Sequence, residues 1–282
     1  MTQSVPDARA DDRRESIAIR LFLEAIYEQY EHDFRSYSLA HMKRRLRNFL
    51  DESGYRHFGE LQHEGLYDER LFYRLLQALT VNTTEMFRDP KFYLSFRNEV
   101  VPVLATYPSI KIWHAGCSTG EEVYSMAILL KEVSLYDPTL LYATDVSEDA
   151  LKTAREGIYP TDRIQAYTRK YQLAAGTMAF SDYYISRYKN AVVAKALRKQ
   201  VVFAAHNLVT DSAFSEFPVV VCRNVMIYFN RELQARVLKV FDQSICRKGF
   251  LCLGSKESLA ATPFSDRYKE TDHVTKIYRR CS

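Results

Sequence analysis

The chain has 282 residues, 47% hydrophobic and 26% charged, with a formal net charge of +4. That is enough for one large domain or two smaller ones, and the composition is that of a soluble globular protein. No apolar run approaches the roughly 20 residues a membrane helix needs, the mild charge does not by itself indicate nucleic acid, and five scattered cysteines without a C-x-x-C pair give no metal site or disulfide framework.

Residues 1–15 are polar and charged, unlike a signal peptide, and read as a disordered tail. Residues 16–80 read as a helical domain. Ile17, Leu21, Ile26 and Tyr30 roughly follow one face of its first helix. Its second turns Leu39, Met42, Leu46, Phe49 and Leu50 inward and carries Lys43, Arg44, Arg45 and Arg47 on the other side. Its third carries Leu71, Phe72, Leu75, Leu76 and Leu79. Residues 81–109 read as a linker and entry helix, with Asp89-Pro90 closing a loop and opening the helix. From residue 110 to 282, strands alternate with helices. The expected strands are Ile110–Ala115, Leu140–Thr144, Val201–Ala205, Val219–Cys222, Phe250–Leu253 and Val274–Tyr278, with helices at Glu148–Glu156 and Glu232–Ser244 among others. Such alternation predicts an α/β fold with a parallel sheet covered on both faces. Residues 167–199, rich in Tyr, Lys and Arg, break the rhythm and read as a small inserted subdomain.

Four clusters carry chemistry. The first is strand, glycine loop and helix: apolar residues end at Ala115, Gly116 and Gly120 follow, and Val123, Met126, Ala127 and Leu130 recur at helical spacing. This opens a doubly wound nucleotide-binding fold. Glu121 and Glu122, where a helix N-terminus would otherwise favour phosphate, point to a cofactor without one. The second is Asp145, which ends the second strand where a ribose is held, or else caps the helix after it. The third is Arg223, Asn224 and Tyr228 after the run Val219–Cys222, with Asn207 after Val201–Ala205. The fourth is Asn82-Thr-Thr-Glu-Met-Phe-Arg-Asp-Pro90, at the seam between the helical and sheet parts, where ligands commonly sit.

With these clusters in order, the chain resembles the CheR family of chemotaxis receptor methyltransferases. These are S-adenosylmethionine (SAM)-dependent enzymes that esterify glutamate side chains of chemoreceptors. The resemblance runs from about Ile17 to Tyr278. It rests on Asn82-Thr-Thr-Glu-Met-Phe-Arg88, Ala115-Gly-Cys-Ser-Thr-Gly-Glu-Glu122, Ala143-Thr-Asp145, His206-Asn-Leu208 and Cys222-Arg-Asn-Val-Met-Ile-Tyr228. It implies a Rossmann-like class I methyltransferase sheet, an N-terminal helical domain and a small inserted subdomain. It also implies SAM as cofactor, S-adenosylhomocysteine as product, and no metal. Asn82, Thr84 and Arg88 are expected to reach the cofactor from the linker, Gly116 and Glu121 or Glu122 from the glycine loop, and Asp145 through the ribose. Asn207 and Leu208 are expected to flank the adenine, and Arg223 and Asn224 to line the amino-acid end. Arg88 and Tyr228 are expected nearest the reacting centre.

The resemblance further implies a chemoreceptor, or another signalling protein, as partner, met through the basic residues Lys43, Arg44, Arg45 and Arg47. The setting is then the cytoplasm, with no membrane insertion and no nucleic-acid partner. The insertion holds only Gly176 where some members have a glycine-rich peptide-docking loop, so no tether to a receptor tail is expected. A nicotinamide dehydrogenase fits less well, since Ser118 stands at the middle glycine of G-x-G-x-x-G. A base-amino methyltransferase would carry a proline in the Arg223-Asn-Val-Met loop. A module that only senses cofactor would not need Arg88 and Tyr228.

Overall fold

The computed structural model describes residues 8–30, 33–79 and 84–281. The chain divides into two compact units. A helical unit takes residues up to 81 together with 228–234, and a larger sheet unit takes 82–227 and 235–282.

The helical unit contains α1 (Ala8–Tyr30), α2 (Leu39–Ser53), α3 (Phe58–Tyr67) and α4 (Glu69–Leu79). Its core gathers Met42, Leu46 and Phe49 of α2, Leu61 of α3, and Leu71, Phe72, Leu75 and Leu79 of α4. Against them α1 turns Ile19, Phe22, Leu23 and Ile26, spaced i, i+3, i+4 and i+7. The expected phase of α1 was therefore wrong in part, because Ile17 and Leu21 are exposed. The expected disordered tail also needs correction, since α1 begins at Ala8. Its charges have partners: Asp12 and Glu15 pair with Lys43, and Glu15 pairs with Arg47.

The sheet unit opens with α5 (Pro90–Ser95), which starts at a proline after Asp89 and continues through a π turn at Phe96–Val100 into α6 (Val101–Leu104). The main-sheet strands are β1 (Ile110–Ala115), β2 (Thr139–Asp145), β6 (Val201–Ala205), β7 (Phe217–Cys222), β8 (Ile245–Leu253), β9 (Tyr268–Asp272) and β10 (Ile277–Arg280). Their order is β6-β2-β1-β7-β8-β10-β9, parallel except for β10. Central β7 is buried on both faces, which is why its Val219-Val-Val run does not alternate. The helices are α7 (Glu121–Glu132), α8 (Glu148–Glu156), α9 (Ile164–Leu173), α10 (Lys195–Arg198) and α11 (Arg231–Ser244).

The expected insertion at residues 167–199 begins earlier, because β3 (Ile158–Pro160) pairs with β5 (Asn190–Val193), which lies between it and β4 (Tyr184–Arg187) in a separate three-stranded sheet. The last strand begins later than expected. Asp272 Oδ1 accepts the Val274 and Thr275 N–H groups, folding the start of the expected strand into a turn. No described helix is long and apolar enough to cross a membrane.

Chain order reverses between β1 and β7, since β2 and β6 lie on one side of β1 while β7 and β8 lie on the other. In open parallel sheets the ligand crevice lies outside the carboxyl ends of the strands at such a switch point. The loops after β1, β2 and β7 are therefore where a site is to be sought.

Candidate active site

Beyond Ala115 the chain turns through Gly116 at φ +77° and Gly120 at φ +91°. The N–H groups of Gly116 and Cys117 both donate to Thr144 O, at 2.8 and 2.9 Å, tying the loop to the end of β2. A Cβ on Gly116 would lie 2.5 Å from Val225 Cγ2, so only glycine lets this loop meet the one after β7.

Asp145 lies beside this loop. Its Oδ2 accepts the Ser118 N–H at 2.7 Å and its Oδ1 the Ser147 N–H at 3.0 Å. Ser147, rather than Asp145, caps α8 by accepting the Ala150 N–H. Burial pushes the Asp145 carboxyl up, while the Ser147 and Ser118 N–H groups pull it back. With the Val146 N–H also bonded to it, the carboxylate keeps acceptor capacity for a hydroxyl. Next along the sheet edge, the His206 N–H donates to Asp145 O at 3.1 Å. Asn207 folds into a local turn, its Oδ1 accepting the Val209 N–H at 2.9 Å, and Leu208 is buried.

Glu121 and Glu122 diverge. Glu121 is buried toward the insertion: its carboxylate accepts the Thr119 hydroxyl at 2.6 Å and the Tyr167 hydroxyl at 3.5 Å, and lies 3.7 Å from Arg163. Burial pushes its pKa up to about 7, against the Thr119 hydrogen bond. Glu122 turns toward β7. Its Oε2 accepts from the Arg223 guanidinium at 2.9 Å, and its Oε1 lies 3.3 Å from Nδ1 of buried His114. Burial raises the Glu122 carboxyl, but His114 and Arg223 more than offset this and hold it below the ordinary value.

The Arg223 side chain is only 2% exposed. Besides Glu122 it donates to Asp89 Oδ2 at 2.8 Å and lies over the Phe92 ring at 4.1 Å. One guanidinium thus links the loops after β1 and β7 to the segment before α5. In that segment Phe87 at φ +53° and Asp89 at φ +57° bracket Arg88 in left-handed conformations. Ser118 and Asn224 are also left-handed, so costly backbone geometry recurs in the loops that line this region. Arg88 and Thr84 are half-buried, and Asn82 lies outside the described residues.

Tyr228 belongs by its packing to the helical unit. Its carbonyl accepts the Ser38 N–H at 2.8 Å, and its ring lies 4.5 Å from that of His41 on α2. Burial, with Arg45 and Arg44 nearby, pushes His41 down to about 4, so it is neutral at pH 7. On the same helix Arg44 lies 3.4 Å from His41 Nδ1. Two residues escaped sequence reasoning altogether. His114 backs Glu122, and Glu257 accepts backbone N–H groups from the loop after β7.

SAM carries two ribose hydroxyls, an ammonium, a carboxylate and no phosphate. The site suits such a group: Asp145 offers spare acceptor capacity, Glu122 supplies negative charge, and the buried donors Ser118 Oγ and Arg223 Nε have no partner among the described residues.

Comparison with known proteins agrees in both units. The family model described as "CheR methyltransferase, all-alpha domain" matches residues 17–80, and "CheR methyltransferase, SAM binding domain" matches 82–274. A Pseudomonas putida protein named "Putative methyltransferase Cher3" is 49% identical over 95% of this chain and 98% of its own. A "Chemotaxis protein methyltransferase 1" of Vibrio cholerae is 34% identical over 69% of this chain and 70% of its own. A "Chemotaxis protein methyltransferase" of Listeria innocua is 29% identical over 80% and 84%. With both domain models matched in order along nearly the whole chain, this protein belongs to the CheR methyltransferase family and uses SAM as its methyl donor.

Proposed function

We propose that this methyltransferase is a protein-glutamate O-methyltransferase, forming γ-methyl esters on the cytoplasmic domains of chemoreceptors. What supports this reading is the match to both CheR domain models, together with a half-buried Arg88 whose carbonyl accepts from the Arg223 guanidinium at 3.4 Å. The names of relatives in Vibrio and Listeria point to the same chemistry.

Bound SAM supplies an already activated methyl group. The acceptor glutamate, with an ordinary pKa near roughly 4.3, is already nucleophilic at neutral pH, so no general base is required. What remains is alignment and exclusion of water. On this reading Asp145 holds the ribose, Asn207 and Leu208 flank the adenine, and Glu122 rather than Glu121 faces the amino-acid end beside Arg223 and Asn224. Asn82, Thr84 and Arg88 contact the cofactor from the linker. Arg88 orients the acceptor carboxylate, and Tyr228 positions the methyl or the acceptor oxygen.

Receptor contact is assigned to α2, whose His41 packs on Tyr228. Because Lys43 and Arg47 are already paired with α1, Arg44 and Arg45 carry more of that role. The same pairing leaves less free charge for an acidic receptor, which favours a second reading with another signalling protein as acceptor. Methyl transfer and SAM binding measured for Arg88→Ala and Tyr228→Phe test the assignment. Transfer is expected to fall at least tenfold in each, with cofactor binding weakened in Arg88→Ala. Full activity in both would remove these residues from the mechanism.

A further inference from the structure

The loop after β7 leaves the strand through Asn224, at φ +62°. Three successive backbone N–H groups there converge on one side chain that lies more than 30 residues downstream. Glu257 Oε1 accepts from Val225 at 3.0 Å and from Met226 at 2.8 Å. Its Oε2 accepts from Asn224 at 3.0 Å and from Gly254, just past β8, at 2.6 Å. Each oxygen thus holds two N–H groups, the full capacity of a carboxylate. The side chain is buried, and burial raises its pKa while these four N–H groups oppose the rise.

The packing leaves no slack. A Cβ on Gly254 would come within 2.7 Å of Glu257 Oε2 and 2.8 Å of Asn224 N. Successive N–H groups turned inward around a left-handed residue form an anion-binding nest. Here the anion belongs to the chain itself, and it clamps the carboxyl ends of the adjacent strands β7 and β8 together. The loop it shapes carries Asn224, follows directly on Arg223, and sets Val225 against Gly116.

We infer that Glu257 is a positioning residue for SAM binding, holding the Arg223–Met226 loop in the shape that presents Arg223 and Asn224 to the cofactor. This rests on the reading of those two residues as cofactor contacts. Glu257 itself touches no reacting atom. Its replacement by glutamine keeps the volume but turns one acceptor into a donor facing two N–H groups, which strands that pair. Glu132 makes a suitable control. It is a buried carboxylate at the far end of α7, accepting from Arg97, Tyr171, Tyr183 and the Thr177 N–H.

The test is calorimetric titration of S-adenosylhomocysteine into the full chain, with thermal melting alongside. Glu257→Gln is expected to weaken binding at least tenfold, and Glu257→Asp, which keeps two acceptors at shorter reach, by less. Combined with Asn224→Ala, Glu257→Gln should add little to the larger single effect, because both act through one loop. Glu132→Gln should lower the melting temperature and leave affinity intact. If Glu257→Gln lowers the melting temperature or the binding stoichiometry but keeps the parental Kd, its role is structural only and the inference fails. Should that variant not accumulate, parental affinity in Glu257→Asp overturns the inference equally. Parental affinity in both Arg223→Lys and Asn224→Ala would instead overturn the reading of the loop as a cofactor wall, and the inference with it.

Discussion

Glu121 and Glu122 are neighbours in sequence but sit in opposite electrostatic surroundings. Glu122 is held charged by His114 and Arg223, whereas Glu121 is buried with the Thr119 and Tyr167 hydroxyls, its own N–H and the more distant Arg163. With its pKa at about 7 in the fold against an ordinary 4.5, Glu121 keeps a proton that the unfolded chain has lost. Stability should therefore fall as pH rises from about 4.5 to 7 and level off above, by at most about 3 kcal/mol. Glu121→Gln should remove that slope. In urea titrations the variant gains on the parent between pH 5 and pH 8, and an unchanged slope would show that Glu121 is ionised throughout. Asp145 differs in kind, because backbone N–H donors fix its orientation while leaving acceptor capacity, which we assign to a ribose hydroxyl. Asp145→Ala is expected to weaken S-adenosylhomocysteine binding by about one to two powers of ten, each worth about 1.4 kcal/mol, in a calorimetric titration. Unchanged affinity would leave Asp145 with a structural role alone.

Among the elements, the glycine loop is the most constrained. Gly116→Ala meets both an unfavourable φ and Val225, so a loss of about 2 kcal/mol or more is expected in chemical denaturation. Pairing it with Val225→Ala should recover the part due to collision and leave the part due to backbone. No recovery would mean that the loops do not meet as described. This element was legible in the sequence because a buried parallel strand, two glycines and a helical apolar repeat are all local signals. The run Val219–Cys222 was legible for the same reason. Edge strand β9 was not, since Tyr268-Lys-Glu-Thr-Asp272 is mostly polar and half-exposed. The phase of α1 was ambiguous because Ile17 and Leu21 compete with Ile19, Phe22, Leu23 and Ile26 for the same pattern. Pairing between α1 and α2 was also invisible, as Asp12 and Glu15 lie about 30 residues from Lys43 and Arg47. Asp12→Asn with Glu15→Gln should free those cations. Receptor association should then quicken at low salt, with the gain erased as salt rises. Equal rates for the two proteins would show that this face takes no part in encounter.

At the scale of the whole molecule, the site is built from long-range relations. Of five short stretches, each unremarkable alone, four lie at the ends of different strands and one precedes α5, and the switch between β1 and β7 explains why the loops after β1, β2 and β7 share one edge of the sheet. The clusters could be read from sequence as residue types in order, but their connections could not. Arg223 bridges Glu122 and Asp89 across more than 100 residues, and the partners of Glu257 are main-chain amides that carry no sequence signature. The acceptor we propose for this SAM-dependent fold is a glutamate carboxylate oriented by Arg88. The most direct measurement is transfer of tritiated methyl from SAM to purified chemoreceptor cytoplasmic domains, followed by mild base. We expect incorporation that base releases as volatile methanol and that Arg88→Ala reduces at least tenfold. Label that resists base, or incorporation indifferent to Arg88, would contradict the proposed glutamyl ester chemistry.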